Sequence, residues 1–510
     1  MRHNAPSDRF VATLPHSRFV EIKIPSPDEV DAAFMHGQDA TRDLVKELNG
    51  IIEALMVQVK KQADVIQAMK ASLDKNSHNS SKPPSSDGYK KPPPKSLRVK
   101  GQKSNGGQPG HEGNTLKAKE NPDHFEEHGP GHCASCEEDL SGVQACASES
   151  RQVFDIPAMQ IEVTEHRVQT KVCPKCGTVN CGEFPEGVNA AVQYGQGVAS
   201  LCTYLNCEHF VPLDRTTQIF KDLFGQDLSE SFVLKATGKT SESVKPSEEA
   251  IKELLANGEI LHTDESGVRV KGKLHWVHVA STKKLTHYAV HAKRGRKAMD
   301  EIGILPKFKG TGIHDHWKPY FQYSFKHGAC NAHQLRELVG IVENWQQPWA
   351  KSMIEVLCDI KDAVDECKAK GATQLSQEVK AQFVKRYEEV LVAGFAANPE
   401  KPEDENTSAK RGRKKQSPPR NLLNRLKNFQ EDTLRFMNDF RVPFDNNISE
   451  RDIRMIKTKM KVSGTFRTLT GAEQFARIRG YISTARKNGQ NILGAIKDAL
   501  IGKPFIPAAT

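Results

Sequence analysis

Apolar residues recur along this chain with two different periods, and each stretch of constant period marks an element. From residue 45 the spacing is seven: Val45, Ile52, Val59, Ile66 and Leu73 fall on one line, with Leu48, Leu55, Gln62 and Met69 beside it. β-branched residues at the first position and mostly Leu or Met at the second predict a short parallel coiled coil over 41–75, and so a homodimer or higher assembly. Gln62 is the polar member that can set register. A single amphipathic helix on a globular core is the alternative. Residues 197–235 and 350–398 read as helical, the first with a helix–Gly–helix pattern around Gly225 that suits a packed hairpin or a DNA-reading pair. From 258 the period falls to two, and "EILHTDESGVRV", "KLHWVHVAST" and "LTHYAVHA" predict three strands. A helix from Lys297, a strand at "GTGIHD", a strand near "KHGAC" and a helix over "NAHQLRELVGIVENW" follow.

Three antiparallel strands, a helix, then strand and helix in alternation is the order of a ribonuclease H-like domain. The expected fold class is multidomain α+β: N-terminal coiled coil, small zinc-binding domain, and a ribonuclease H-like α/β catalytic domain with a helical insertion. The boundaries expected are a flexible N-terminus (1–40), the coiled coil (41–75), a basic disordered linker (76–120) and a zinc-binding domain (121–190). A helical, candidate DNA-binding segment (191–257), the first catalytic part (258–345), a helical insertion with a basic loop (346–420), the second catalytic part (421–490) and a C-terminal tail (491–510) complete the order. The linker is rich in Ser, Pro, Gly, Asn and Lys, a composition that cannot fill a core.

Charge sharpens this picture. The 510 residues carry a net charge of +10, concentrated in "KKPPPKSLRVKGQK" at 90–103 and "AKRGRKKQSPPR" at 409–420; "AKRGRK" also occurs at 292–297. Localised basic runs without a long apolar segment favour nucleic acid over membrane. The start, "MRHNAPSDRF", lacks the apolar core of a signal peptide, so a cytoplasmic, nucleoid-associated location is expected.

The eleven cysteines include two C-x-x-C pairs, Cys133 with Cys136 and Cys173 with Cys176. Four thiolates at this spacing suit one structural Zn2+ ion; core thiols or a redox pair are the alternatives. The intervening "RQVFDIPAMQIEVTEHRVQTKV" reads as two strands joined at a turn.

In "RVPFDNNISERDIRMIKTKMK", at 441–461, the helical period puts Glu450, Arg454, Lys457 and Lys461 on one face and Ile453, Ile456 and Met460 on another. A carboxylate leading a basic stripe suits a metal ion beside a phosphate backbone; a Glu450–Arg454 salt bridge is the plainer reading. In the strand order above, Asp264 lies on the first strand and Asp315 ends the fourth, neighbours in such a sheet. With Glu450 from a late helix they form three hard oxygen donors, suited to two Mg2+ (or Mn2+) ions per active site.

The chain resembles the insertion sequence 66 family of DDE transposases. The resemblance runs from about residue 76 to 497 and rests on "SSKPPSSD" with "GGQPGHEG", the paired C-x-x-C region, "LHTDES", "HDHW", "CNAHQLREL" and "DNNISERDIRMIK…GAEQFARIRGYISTARKNGQNILGAI". It implies catalytic acids Asp264, Asp315 and Glu450, and a cut-and-join enzyme for the terminal inverted repeats of its own element. DNA, both terminal and target, is the implied partner, together with accessory transposition proteins. Around Glu450, Asn446, Asn447, Arg451, Arg454, Lys457 and Arg467 are expected to hold DNA. Ser266 stands where threonine is usual, and "KVSGTFRT" replaces a more aromatic stretch. Another ribonuclease H-like nuclease and a catalytically silent DNA-binding derivative are the competing readings.

Overall fold

The computed structural model describes residues 25–80, 82, 87, 116–400 and 416–508. The basic runs at 90–103 and 409–415 lie outside the described residues, as does most of the expected linker.

The N-terminal segment is helical earlier than expected. Helix α1 (Pro27–Met35) begins inside the stretch read as flexible, because Ser26 and Glu29 form a reciprocal capping box and Pro27 occupies the first turn. Gly37, at φ +95°, breaks the chain before α2 (Gln38–Leu73). The heptad residues of α2 stay exposed: Ile52 is 52% accessible and Ile66 64%. The helix therefore presents an apolar stripe that the other described residues do not cover.

Residues 76–80, expected as linker, instead fold back onto the body. Asn79 donates to Glu343 Oε2 at 3.1 Å, Gln67 donates to the Asn344 carbonyl at 2.9 Å, and Ser77, Asn79 and Ser80 are buried. Short Asn and Ser side chains satisfy the backbone of a tight turn, which the linker-like composition also permits.

The segment expected to bind zinc has only the hairpin β1 (Thr170–Val172) and β2 (Val179–Cys181), paired antiparallel. The two strands expected over 151–172 do not form beyond β1. Val153 and Val163 are about nine-tenths exposed, so the alternating apolar residues have no sheet face to bury against.

Beyond it, α3 (Gln196–Thr203), a π-helical turn (Tyr204–Glu208), α4 (Leu213–Phe224), α5 (Glu230–Ser243) and α6 (Lys245–Ala256) form a helical block. Gly225, at φ +66°, ends α4. Helix α5 packs against both α3 and α4. The sheet follows: β3 (Ile260–Val270), β4 (Lys273–Ser281) and β5 (Thr286–His291) run antiparallel, with Lys271 and Gly272 at positive φ making the β3–β4 turn. After α7 (Arg296–Ile302), β6 (Thr311–His314) and β7 (Lys326–Ala329) add in parallel, giving the order β5-β4-β3-β6-β7.

Helices α8 (Asn331–Trp345), α9 (Pro348–Ala369), α10 (Gln377–Ala397) and α11 (Pro418–Asn428), with the short α12 (Gln430–Thr433) and α13 (Arg435–Asn438), share one core around Trp349, Met353, Leu357, Tyr387 and Leu423. The helical insertion thus extends past residue 420, since Leu422, Leu423 and Leu426 of α11 are buried in it. Finally α14 (Asn447–Ser463), α15 (Leu469–Lys487) and α16 (Ile492–Leu500) return to the sheet and the first helical block. Val268, Val277 and Val279 point to α14 and α15, while Leu261 and Ala280 point to α6 and α7, so the sheet is buried on both faces. Helix α16 lies in the stretch read as a tail; Ile492, Ala495, Ile496 and Ala499 pack it against α3. Among the described residues no helix is long and apolar enough to cross a membrane.

Gly340 of α8 has Asn79 O just 2.2 Å from where a Cβ would sit. Gly340→Ala is expected to push residues 76–80 off α8 and cost about 1–3 kcal/mol locally. Limited proteolysis around Lys75 should accelerate, with the melting of the main body nearly unchanged.

Candidate active site and zinc-finger segment

Register puts the first two acids side by side. Strands β3 and β6 pair in parallel up to His262↔Ile313, and two residues further along each strand lie Asp264 and Asp315. Asp264 Oδ1 accepts from the Glu265 amide at 2.8 Å, and Asp315 Oδ1 accepts from the Trp317 amide at 3.1 Å. Between them, His316 sits at φ +67°, a left-handed conformation that costs a non-glycine residue energy. Its amide donates to His314 Nδ1, which holds the turn presenting Asp315.

Helix α14 crosses β3 and carries Glu450 near its start. Asn446 fixes that start: its Nδ2 donates to the Thr263 carbonyl at 2.8 Å, its Oδ1 accepts from His262 Nδ1 at 2.9 Å, and its amide donates to Cys330 Sγ at 3.2 Å. Only 1% of Asn446 is accessible. The expectation that it contacts DNA is corrected, because its polar atoms are spent inside the protein. Asn447 is exposed and bonds Asp445. Arg451, Arg454 and Arg467 are exposed and form no ion pair with a described residue, while Lys457 is half-buried with Nζ donating to the Gly267 carbonyl at 3.3 Å.

The Glu450 carboxylate does not pair with Arg454. Its Oε1 lies 3.8 Å from Arg336 Nη2, 3.6 Å from His333 Nδ1 and 3.7 Å from Cys330 Sγ. The plain salt-bridge reading fails on its partner, since the nearest cation comes from α8 and not from the next turn of α14.

Carboxylates crowd this end of the sheet. Burial, with Glu265 and Asp315 close by, holds the Asp264 carboxyl well above its ordinary range. Burial also raises Asp315 and Glu265. Carboxyls raised by burial and by neighbouring acids, as Asp264 is, favour a bound cation, which would restore the charged form. Glu265 was not singled out in the sequence. It accepts from Arg294 and from the Tyr320 hydroxyl, each at 2.5 Å, and Arg294 is stacked over Trp317 at 4.0 Å and Trp276 at 4.9 Å. Cys330, His333 and Arg336 were also missed as site residues, although Cys-x-x-His at a helix start puts both side chains on one face.

In the finger, each C-x-x-C forms its own tight turn. The Glu137 amide donates to the Cys133 carbonyl at 3.0 Å, and the Gly177 amide to the Cys173 carbonyl at 2.9 Å. Amides of Ser135 and Cys136 lower the Cys133 thiol, and the Thr178 hydroxyl lowers that of Cys176, so one thiol of each pair is tuned toward the thiolate a metal needs. The four sulfurs do not form a single cluster in this structure. The donor set fits zinc.

Residues 191–474, more than half the chain, match the Transposase IS66 family, and residues 130–177 match the zinc-finger binding domain of transposase IS66. Residues 36–117 match a family of unknown function. The chain belongs to the IS66 transposase family, so its role is that of a transposase acting on DNA. No curated protein matches it.

Because Asp264 is raised, its stability contribution is present at low pH and lost as pH rises through its folded pKa. Asp264→Asn, without added divalent cation, should therefore raise the melting temperature at pH 7 and do so less near pH 4. Equal melting of both proteins at pH 7 would contradict the burial of this acid.

Proposed function

We propose that this transposase cuts DNA at the terminal inverted repeats of its element and joins the freed ends to target DNA, using Asp264, Asp315 and Glu450 on a ribonuclease H-like sheet. One observation carries the reading: Asp264 and Asp315 extend the register of adjacent parallel strands, and α14 lays Glu450 over the same strand. Two Mg2+ or Mn2+ ions bound to such acids supply a Lewis acid for the attacking and the leaving oxygen. In the first step water oxygen bonds to phosphorus and the bond to the 3′ oxygen breaks, leaving a 3′ hydroxyl and a 5′ phosphate. That hydroxyl then attacks a target phosphodiester, and the target strand leaves through its own 3′ oxygen.

The protein's part is orientation and charge. Asn446 and the Trp317 amide hold the acid-bearing segments; Arg294 pairs with Glu265 and forms no ion pair with Asp264 or Asp315. Arg451, Arg454 and Lys457 along α14, and Arg467 just beyond its C-terminal end, suit phosphates, independent of sequence. The four finger cysteines close on one structural Zn2+. The apolar stripe of α2 covers itself in a parallel dimer, which brings two active sites to one pair of ends.

Glu450→Gln is expected to keep DNA binding while strand joining falls by about three orders of magnitude or more. Asp264→Asn and Asp315→Asn should behave alike, and combining any two should add little. Joining of labelled terminal-repeat DNA to a plasmid in Mg2+ measures this; near-normal joining by Glu450→Gln would overturn the assignment. Removing Cys133 and Cys173 should release one zinc per chain and unfold 121–190, seen by metal analysis and proteolysis, with the sheet domain still folded.

A further inference from the structure

Of the three acids, Glu450 alone sits in a constellation of different chemistry. Its oxygen, Cys330 Sγ and a His333 ring nitrogen all lie within 4.8 Å of one another, and Asp264 and Asp315 are not in the group. Two of these separations are 3.6 and 3.7 Å, too long for an N–H···O hydrogen bond in the first case. They match the edge of a tetrahedron around an ion with bonds of about 2.0–2.3 Å, which spaces its ligands about 3.3–3.8 Å apart. A second observation points the same way: His333 Nδ1 is buried and has no hydrogen-bond partner. Leaving such an atom unsatisfied costs about 1–3 kcal/mol, so something polar belongs beside it.

We propose that Cys330, His333 and Glu450 form a second zinc site, separate from the finger, in which a Zn2+ ion holds Glu450 away from the other two acids and keeps the transposase silent. The inference rests on the catalytic reading of Glu450. The donor set decides the metal. One sulfur, one imidazole nitrogen and one carboxylate oxygen suit Zn2+, whereas Mg2+ takes oxygen alone. Local structure supplies the geometry: Cys330 caps α8 and His333 follows three residues on, so their side chains face α14 together. Metal binding takes the thiol proton from Cys330 and releases it to solvent. Arg336 reaches the same Glu450 oxygen from 3.8 Å, and its Nε is tied to the Ala332 carbonyl. It stands outside the ligand set and competes with the ion electrostatically, so occupancy is reversible. The fourth coordination position is open to water. With the ion in place the carboxylate that α14 delivers is no longer available to the Asp264–Asp315 pair, and removal of Zn2+ frees it.

The test uses the full-length protein with its finger intact. Metal analysis after equilibration in micromolar Zn2+ is expected to give two zinc ions per chain, and one in Cys330→Ser or His333→Gln. Serine can still accept from the Asn446 amide, and melting curves check that both variants fold. In the same proteins, joining in Mg2+ should slow about 10–100-fold on adding Zn2+ in the wild type. Each variant, compared with its own zinc-free rate, should lose that sensitivity. Asp264→Asn separates the two readings: it should abolish joining and retain both zinc ions. A single zinc in the wild type, or two in both variants, overturns the zinc site alone. Joining that survives Asp264→Asn, with two zinc ions bound, overturns the catalytic reading alone.

Discussion

Asn446 is the constraint on which the site depends. Its amide group bridges two consecutive residues of β3, and its backbone N–H reaches the sulfur that caps α8. Three elements remote in sequence are thereby locked at one point, inside a region almost free of water. In such a place an unmet amide would cost about 1–3 kcal/mol, so the arrangement is well specified. Without it α14 would still pack through Ile453 and Ile456, yet apolar contact alone leaves sliding along the helix axis cheap.

Beside that lock Asp264, Glu265 and Asp315 crowd together, against their own electrostatics. Arg294, held flat between two tryptophans, neutralises Glu265 and not Asp264. The guanidinium therefore balances one acid and leaves its neighbour on the strand, Asp264, without an ion pair and raised by burial. Alternation along β3 makes this sorting possible, since adjacent residues face opposite sides.

The N-terminal third follows a different logic. Residues 116–190 bury almost nothing, and α2 leaves its stripe uncovered, so neither has a core of its own. For the thiol turns a structural metal can supply the cohesion that apolar burial does not. The turn at 76–80 is the exception, pinned to α8 by hydrogen bonds and by the absence of a side chain at Gly340.

Local pattern alone determined a great deal. The heptads of α2, the period-two runs of β3 to β5, the boundaries of α8 and the spacing of the thiol pairs were legible because each depends on neighbours in the chain. The positions of Asp264 and Asp315 at neighbouring strands and of Glu450 on a helix were legible from the same local pattern. Three things were not. Asn446 reads as a surface amide until the fold buries it. Residues 151–169 alternate like a strand yet find no partner sheet, and pairing is decided by distant segments. The company of Glu450 depends on α8 and α14 meeting at their first turns, across 120 residues of chain. Periodicity records which side of an element is apolar; only packing decides what that side meets, because burial energy is nearly indifferent to direction while hydrogen bonds and ligand geometry are not.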